Sequence, residues 1–406
     1  MKKLILSLSA LTISLLSLQS FAQDCSGNRY SQAIFTDIDS AVNIKYGSNY
    51  KQDGITNEDL YLDIYYPKND TDTDRPVVLL AHGGSFIGGN RKDIATLCKN
   101  ISSMGYVTVS ISYRLLNVNA SVIANPGLEF KKEVVRAIHD MKAAIRYMRK
   151  SYDNNNPYGI NPNIIINGGV SAGAILANHL IFLDNDNKIP SELTSYFSAQ
   201  GGLDGTSGNS GYSSTPQMVL SMCGAIMDTT WIESGDQPYY GVHTTPDQVV
   251  PNLYGQPNIG MTIPVDLYGD SLMFNRAHNV GVNSKYKNYP TGGHCEFGPE
   301  YFADMMGFTY QNLCVQGLST KNNPEKVYFS VYPNPANSTV TIEIPGNKWD
   351  ATYEVIDLVG KVVYKSTIQS DQILTQLDVT SFPSGVYQIK VNTNDNRTAI
   401  KKFIIE

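Results

Sequence analysis

Short apolar runs recur along the chain, separated by amphipathic stretches and polar turns. Val77-Val78-Leu79-Leu80-Ala81 is wholly apolar, as a strand covered on both faces must be. Further strands are predicted around 42–46, 60–65, 106–113, 164–166, 218–226, 239–243 and 286–289; the run at 60–65 alternates as a strand with one wet face does. Helical spacing is predicted over 93–104, 129–152, 174–180 and 271–282. In the second of these, Val134, Val135, Ile138, Met141, Ala144, Ile145 and Met148 share one face. This alternation predicts an α/β domain, a mostly parallel sheet flanked by helices, over residues 23–318. The stretch 184–216 is polar and rich in Gly, Ser and Asn, a long excursion of the kind that flanks binding clefts. Residues 319–326 read as a linker. Beyond it, over 327–406, only short strands with turn signals follow (327–332, 340–344, 353–357, 361–365, 386–391 and 399–405), which predicts a small all-β sandwich.

Composition adds three constraints. The chain has 406 residues, 42% hydrophobic and 17% charged, enough for a large core and more than one domain. A net charge of −6 with no dense basic patch argues against a nucleic-acid partner. Lys2-Lys3, a short apolar core and Ser20-Phe21-Ala22 form a secretory signal peptide over 1–22, with cleavage expected after Ala22. No later stretch is apolar for long enough to span a bilayer, so an integral membrane protein is not expected. The five cysteines lie beyond this leader and meet an oxidising compartment. Their odd number leaves at least one unpaired. The expected bridges are Cys25–Cys98 and Cys295–Cys314, with Cys223 a buried free thiol in an apolar run. Asp70, Asp72 and Asp74 have calcium-like spacing, but Arg75 stands where a calcium loop needs its turn glycine, so a solvated turn is expected.

The chemistry centres on Asn167-Gly168-Gly169-Val170-Ser171-Ala172-Gly173, between an apolar strand and a helix. Gly-x-Ser-x-Gly in that setting is a nucleophile elbow: a sharp turn that only small neighbours allow to close, lifting the serine hydroxyl clear of the sheet. A serine needs a base, a carboxylate to orient that base, and amide donors for the oxyanion. Of six histidines, only His294 sits in a Gly-rich loop after a strand; His82 is expected to be structural, His139, His179 and His278 lie in helices, and His243 in a strand. The acid is expected to be Asp247, which ends a strand before Val249-Val250-Pro251, with Asp228, Asp236, Asp266 and Asp270 as rivals. His82-Gly83-Gly84-Ser85-Phe86 leaves a strand before the first helix, so the oxyanion donors are placed at the amides of Gly84, Ser85 and Ala172. Arg114 and Asp140 are expected to form a buried structural pair. Phe86, Trp231, Tyr239, Tyr240 and Phe297 are candidates for either a pocket lining or the core. No cofactor or metal is required by this chemistry.

Residues 28 to about 300 resemble the secreted carboxylesterases of the α/β-hydrolase superfamily. The resemblance rests on Leu62-Asp63-Ile64-Tyr65-Tyr66-Pro67, His82-Gly83-Gly84-Ser85-Phe86, Ser112-Tyr113-Arg114-Leu115, Gly169-Val170-Ser171-Ala172-Gly173, Thr245-Pro246-Asp247-Gln248-Val249-Val250-Pro251 and Gly292-Gly293-His294. It implies an ester hydrolase with Ser171 as nucleophile, Asp247 as acid and His294 as base. Two glycines precede Ser85 where hormone-sensitive-lipase-like relatives usually have three, which leaves feruloyl- and acetylxylan-esterase-like relatives open. Residues 327–406 resemble a type IX secretion sorting domain of type A, through Val331-Tyr332-Pro333-Asn334-Pro335-Ala336, Val359-Gly360-Lys361, Ser384-Gly385-Val386-Tyr387 and Lys401-Lys402-Phe403-Ile404-Ile405. That resemblance implies export through the periplasm and outer membrane by the type IX machinery, to a secreted or cell-surface location. The substrate implied is an ester, free or polymer-linked. A surface binding protein on a catalytically silent hydrolase fold is the reading from another class.

Overall fold

The computed structural model of the protein describes residues 23–316 and 329–406, apart from 345, 346, 348, 359 and 395–397. The expected leader (1–22) and linker (319–326) lie outside the described residues. Eight strands form the main sheet: β1 (Ile38–Tyr50), β2 (Asn57–Pro67), β3 (Arg75–Ala81), β4 (Val107–Ile111), β5 (Ile160–Val170), β6 (Met218–Met222), β7 (Tyr239–Thr244) and β8 (Ser284–Tyr289). Their order across the sheet is β1-β2-β4-β3-β5-β6-β7-β8. β2 pairs antiparallel with β1 and with β4, and the remaining pairs are parallel.

Alternation along β3 shows why both faces must be covered. Val77, Leu79 and Ala81 pack into one apolar cluster, and Val78 and Leu80 into the other. The first cluster takes in the inner faces of α2 (Pro126–Asp153) and α3 (Ala172–Phe182). The second takes in α1 (Ala95–Ser102) and α5 (Glu300–Tyr310). The sheet is therefore the middle of three layers, the arrangement that a continuous Val/Leu run demands. Helix α5 has no counterpart among the sequence expectations. α4 (Asp270–Asn279) follows a three-stranded side sheet of Ala225–Ile226, Leu267–Gly269 and Tyr254–Gly255.

The polar excursion after α3 is anchored by a buried ion pair. Arg114 donates to both carboxylate oxygens of Asp140, at 2.8–3.1 Å, and also to the carbonyls of Tyr50 and Arg136. The Ser207 hydroxyl donates to the same carboxylate at 2.7 Å. With its partners this well satisfied, the pair fastens loop, helix α2 and the end of β1 together, the structural role expected for it.

The C-terminal residues form a three-stranded sheet, in the order Ser330–Tyr332, Thr339–Glu343, Leu374–Asp378, and a four-stranded one, in the order Val362–Ile368, Ala351–Ile356, Gly385–Thr393, Thr398–Ile405. Both contribute to one core, including Val340, Ile342, Val355, Ile389 and Phe403. The strand Leu374–Asp378 escapes the sequence reading because Leu377 is its one buried residue.

The disulfides differ from the expected pairing. Cys25 is bonded to Cys314 and Cys223 to Cys295, and the free thiol is Cys98. Cys98 points inward from α1 and is wholly buried, and that burial pushes its pKa up to about 12. Cys223 and Cys295 each follow a strand of the same sheet edge, two positions apart in the order, which brings their Cα atoms to 5.4 Å. Peptide mapping of the oxidised protein is expected to recover the 25–314 and 223–295 crosslinks, with Cys98 alkylated only after unfolding. A crosslinked Cys98 peptide would contradict this arrangement.

Candidate active site at the strand ends

Parallel register brings the strand ends level. Ala81 lies opposite Gly169, Val170 opposite Met222, Met222 opposite Val242, and Thr244 opposite Tyr289. Residues just beyond these ends therefore share one edge, where α/β folds build their sites.

Ser171 links β5 to α3 with φ 57° and ψ −120°, a conformation that costs energy for a residue with a side chain. Space decides the neighbours. A Cβ on Gly169 would lie 2.3 Å from the carbonyl carbon of Gly173, and one on Gly173 would lie 2.2 Å from the Ala81 oxygen. The Ser171 amide donates to the Met222 carbonyl at 2.8 Å, which fixes the turn on β6.

The turn after β3 abuts this serine, since a Cβ on Gly83 would be 3.2 Å from the Ser171 Cβ. His82 supports the turn from below. Its ring stacks on Tyr113 at 4.4 Å, its Nδ1 lies 2.7 Å from the Gly83 carbonyl, and burial holds its pKa below the ordinary value. Gly84, Ser85 and Phe86 all have positive φ, and the Gly84 carbonyl accepts the amides of Ile87 and Gly88 at 3.0 Å. Among the described residues, the amides of Gly84, Ser85 and Ala172 have no protein acceptor.

Ser171, His294 and Asp247 are brought together. His294 Nε2 lies 2.8 Å from the Ser171 hydroxyl, and its Nδ1 lies 2.7 Å from Asp247 Oδ2. Asp247 Oδ1 accepts the amides of Val249 and Val250 at 2.8 and 3.0 Å. Burial works to raise the Asp247 pKa, but hydrogen bonds from His243 and His294 outweigh it and hold this carboxyl well below the usual range. The other acidic rivals lie elsewhere. Asp228 caps the amide of Thr230, Asp236 accepts the amide of Glu233, and Asp266 accepts from Gln256 at the surface.

Asp270 was a rival for the acid, and it faces His243 instead. His243 is wholly buried; its Nδ1 is 2.9 Å from Asp270 Oδ2, and its Nε2 is 3.2 Å from Asp247 Oδ2 and 3.1 Å from the Val250 carbonyl. Burial alone would strip the proton from this ring, but hydrogen bonds to Asp247 and Asp270 outweigh it and push its pKa up to about 9. Sequence reasoning missed this link. Its one signal was a histidine four residues before Asp247, near the C-terminal end of β7. His139 and His179 are buried too, and burial pushes them down to about 3 and about 4.

The loop of His294 is fastened at several points. Thr244 Oγ1 donates to the Gly293 carbonyl at 2.8 Å, Glu296 accepts the Gly293 amide at 2.7 Å, and the 223–295 disulfide ties the residue after His294 to the residue after β6. The donor atoms of Cys223, His294 and Cys295 lie within 4.8 Å of one another, a spacing compatible with a metal. The sulfurs are bonded to each other, however, and both His294 nitrogens face Ser171 and Asp247, so these residues do not form a ligand set. Phe86, Tyr239 and Tyr240 belong to the core, Trp231 is buried but also borders a separate cleft, and Phe297 packs between Tyr289 and Tyr301. A cleft of about 710 Å³, lined by Lys131, Lys188, Trp231 and Glu233 among others, contains none of Ser171, Asp247 or His294.

The strand order, with a strained serine between β5 and α3, defines an α/β-hydrolase fold. Residues 62–204 match the family model described as BD-FAE, and residues 330–406 match that of the secretion system C-terminal sorting domain. The chain thus joins an esterase-like α/β-hydrolase domain to a sorting domain, and that tail marks it for export, to secretion or cell-surface attachment. No described helix is long and apolar enough to cross a membrane. Among solved structures the chain is similar to native esterase 2 of Thermogutta terrifontis, at TM-score 0.47 and 18% identity over 70% of this chain and 95% of that one. The same esterase phosphorylated by paraoxon matches at TM-score 0.46 and 18% identity, over 71% and 97%. Among curated proteins, a non-reducing polyketide synthase of Emericella nidulans is 44% identical over 68 residues, 16% of this chain and 3% of the synthase. One of Penicillium brasilianum is 50% identical over 60 residues, 14% of this chain and 2% of the synthase. The chain therefore spans only a few hundredths of the length of these curated relatives.

The buried charges give stability a pH window. A group whose pKa is raised on folding stabilises the fold below its unfolded value and loses that contribution as pH climbs through the folded value. The His243 contribution is thus complete below 6.5 and lost as pH rises through about 9. Asp247 acts in the opposite sense: its contribution is present above 3.8 and is lost as pH falls toward its depressed folded value. Thermal unfolding across pH is expected to show both declines, and His243→Gln to remove the alkaline one. An alkaline decline of equal size in the folded variant would contradict the assignment.

Proposed function

We propose that the protein is a secreted serine carboxylesterase, with residues 23–318 as the catalytic domain, 319–326 as linker and 327–406 as the sorting domain behind a cleaved leader, 1–22. The observation that carries this reading is the continuous path from Asp247 Oδ2 through His294 to the Ser171 hydroxyl, with contacts of 2.7 and 2.8 Å. Ser171 attacks the ester carbonyl while His294 Nε2 takes its proton. Asp247 holds the Nδ1–H tautomer of His294 and stabilises the imidazolium that forms. The amides of Gly84, Ser85 and Ala172 receive the oxyanion. The tetrahedral intermediate collapses, the alcohol leaves with the proton from His294, and water then releases the acid from the acyl-enzyme by the same steps. Neither a metal nor an organic cofactor takes part.

The match to the BD-FAE model and the sorting tail support this reading. Export places the substrate outside the cell, and we take it to be an ester carried on polymeric material, of the feruloyl, acetylxylan or polyester kind. Ser171→Ala is expected to lower kcat on short aryl esters by about 10⁴-fold or more and to abolish fluorophosphonate labelling. Asp247→Asn is expected to cost about 10⁴-fold by favouring the wrong His294 tautomer. Unchanged turnover in Ser171→Ala would end the reading. Ligand retention by the wild type without turnover would favour a binding protein on a silent fold. A panel of acyl chain lengths with feruloyl and acetyl-xylan esters is expected to rank the polymer-type esters highest.

A further inference from the structure

We propose that His243, held as an imidazolium by Asp270, is a positioning residue for Asp247, so that the reacting serine is backed by a chain of four groups: His294, Asp247, His243 and Asp270. The inference rests on the serine-esterase reading above and concerns how the same site is set.

The argument begins with acceptors. His243 Nδ1 faces Asp270 Oδ2, and Nε2 faces Asp247 Oδ2 and the Val250 carbonyl, at 2.9, 3.2 and 3.1 Å. A neutral imidazole donates from one nitrogen and keeps a lone pair on the other. Either tautomer would aim that lone pair at a carboxylate oxygen in a site closed to water, so only the doubly protonated ring satisfies both sides. Asp270 is built to hold such a cation. Its Oδ1 accepts the hydroxyls of Ser221 and Tyr239, at 2.5 and 2.6 Å, and its Oδ2 accepts the Gly224 amide at 2.8 Å as well as His243. The charged groups facing His243 are thus Asp247 and Asp270. The neutral groups around them are Ser221 on β6, Tyr239 on β7, the Gly224 amide and the Val250 carbonyl.

This arrangement matters at Asp247 Oδ2, the oxygen that also meets His294. The Oδ1 side is fixed by two amides, and on the Oδ2 side the His243 Nε2 stands 3.2 Å away, beside the contact from His294. The carboxylate can then neither rotate about its bond nor take up a proton without breaking contacts. A bare imidazolium here would also draw Asp247 away from His294. Asp270 balances it, and the three buried groups together carry the single negative charge that a lone acid would. Burying three charges is costly when a packed apolar side chain could fill the same volume, so a simple brace for α4 does not account for the choice of residues.

Two measurements on the full chain test the proposal. In the wild type, nitrogen NMR of the histidine ring is expected to show His243 doubly protonated at pH 7, where a neutral tautomer would overturn the idea. In His243→Gln, kcat on a short aryl ester is expected to fall by roughly 10- to 100-fold with KM within about twofold, because binding is kept and geometry is lost. The acid limb of kcat/KM is expected to move to higher pH, since the cation opposing two carboxylates is gone. A folded variant with wild-type kcat and an unmoved limb would overturn the proposal; if the variant does not fold, the NMR result on the wild type decides. Ser171→Ala, run beside them, separates the two readings. Turnover there would remove the serine-esterase reading itself, whereas an inactive Ser171→Ala with an unimpaired His243→Gln would remove only the role of His243.

Discussion

The carbonyl of Ala81 occupies the space that a side chain on Gly173 would need, and the site depends on that contact. Because β3 and the start of α3 touch there, the turn after β5 has one place to go. Ser171 is driven into positive φ, and the turn after β3 is held against it. From this point a staircase of backbone hydrogen bonds runs across the strand ends. The Ser171 amide reaches Met222, the Cys223 amide reaches Val242, and the Thr245 amide reaches Tyr289. Each step delivers the next group: the disulfide to the His294 loop, then Asp247, then the end of β8 from which that loop departs. The loop that carries His294 is held in this way by the sheet.

Much of this was legible, for physical reasons that differ from element to element. The run 77–81 is apolar because both faces of the sheet are covered, so period and burial point the same way. The sequence around Ser171 announces its turn because the steric demand falls on neighbours one or two residues away. The pairing of Ser171 with His294 and Asp247 could be suggested only from order along the chain, since the parallel register that unites them is a property of the whole sheet. The disulfides were misread for the same reason. Cys98 and Cys25 are closer in sequence, but an inward-facing helix position removes Cys98 from reach, while strand-end geometry joins Cys223 to Cys295. Asp270 read as a possible acid and the structure turns it to His243. No local pattern distinguishes a carboxylate that faces one histidine from one that faces another.

A comparison of two buried charge clusters shows why burial alone does not mark a functional group. Arg114 and Asp140 are as buried as His243 and Asp270, and both clusters have their hydrogen bonds filled. The first ends on carbonyls of β1 and α2 and on Ser207, all of them structural, so its strength goes into fastening a polar loop that has little apolar surface of its own. The second ends on Asp247, and through Asp247 on the one histidine with its ring open to the strand edge. A rearrangement in the first cluster alters where a loop lies. In the second, it alters the field at His294 and the direction of the carboxylate that faces it. In the proposed enzyme the chemistry would thus be tuned from beneath the sheet edge by β6, β7 and α4, while the loops above it remain free to set which ester is accepted.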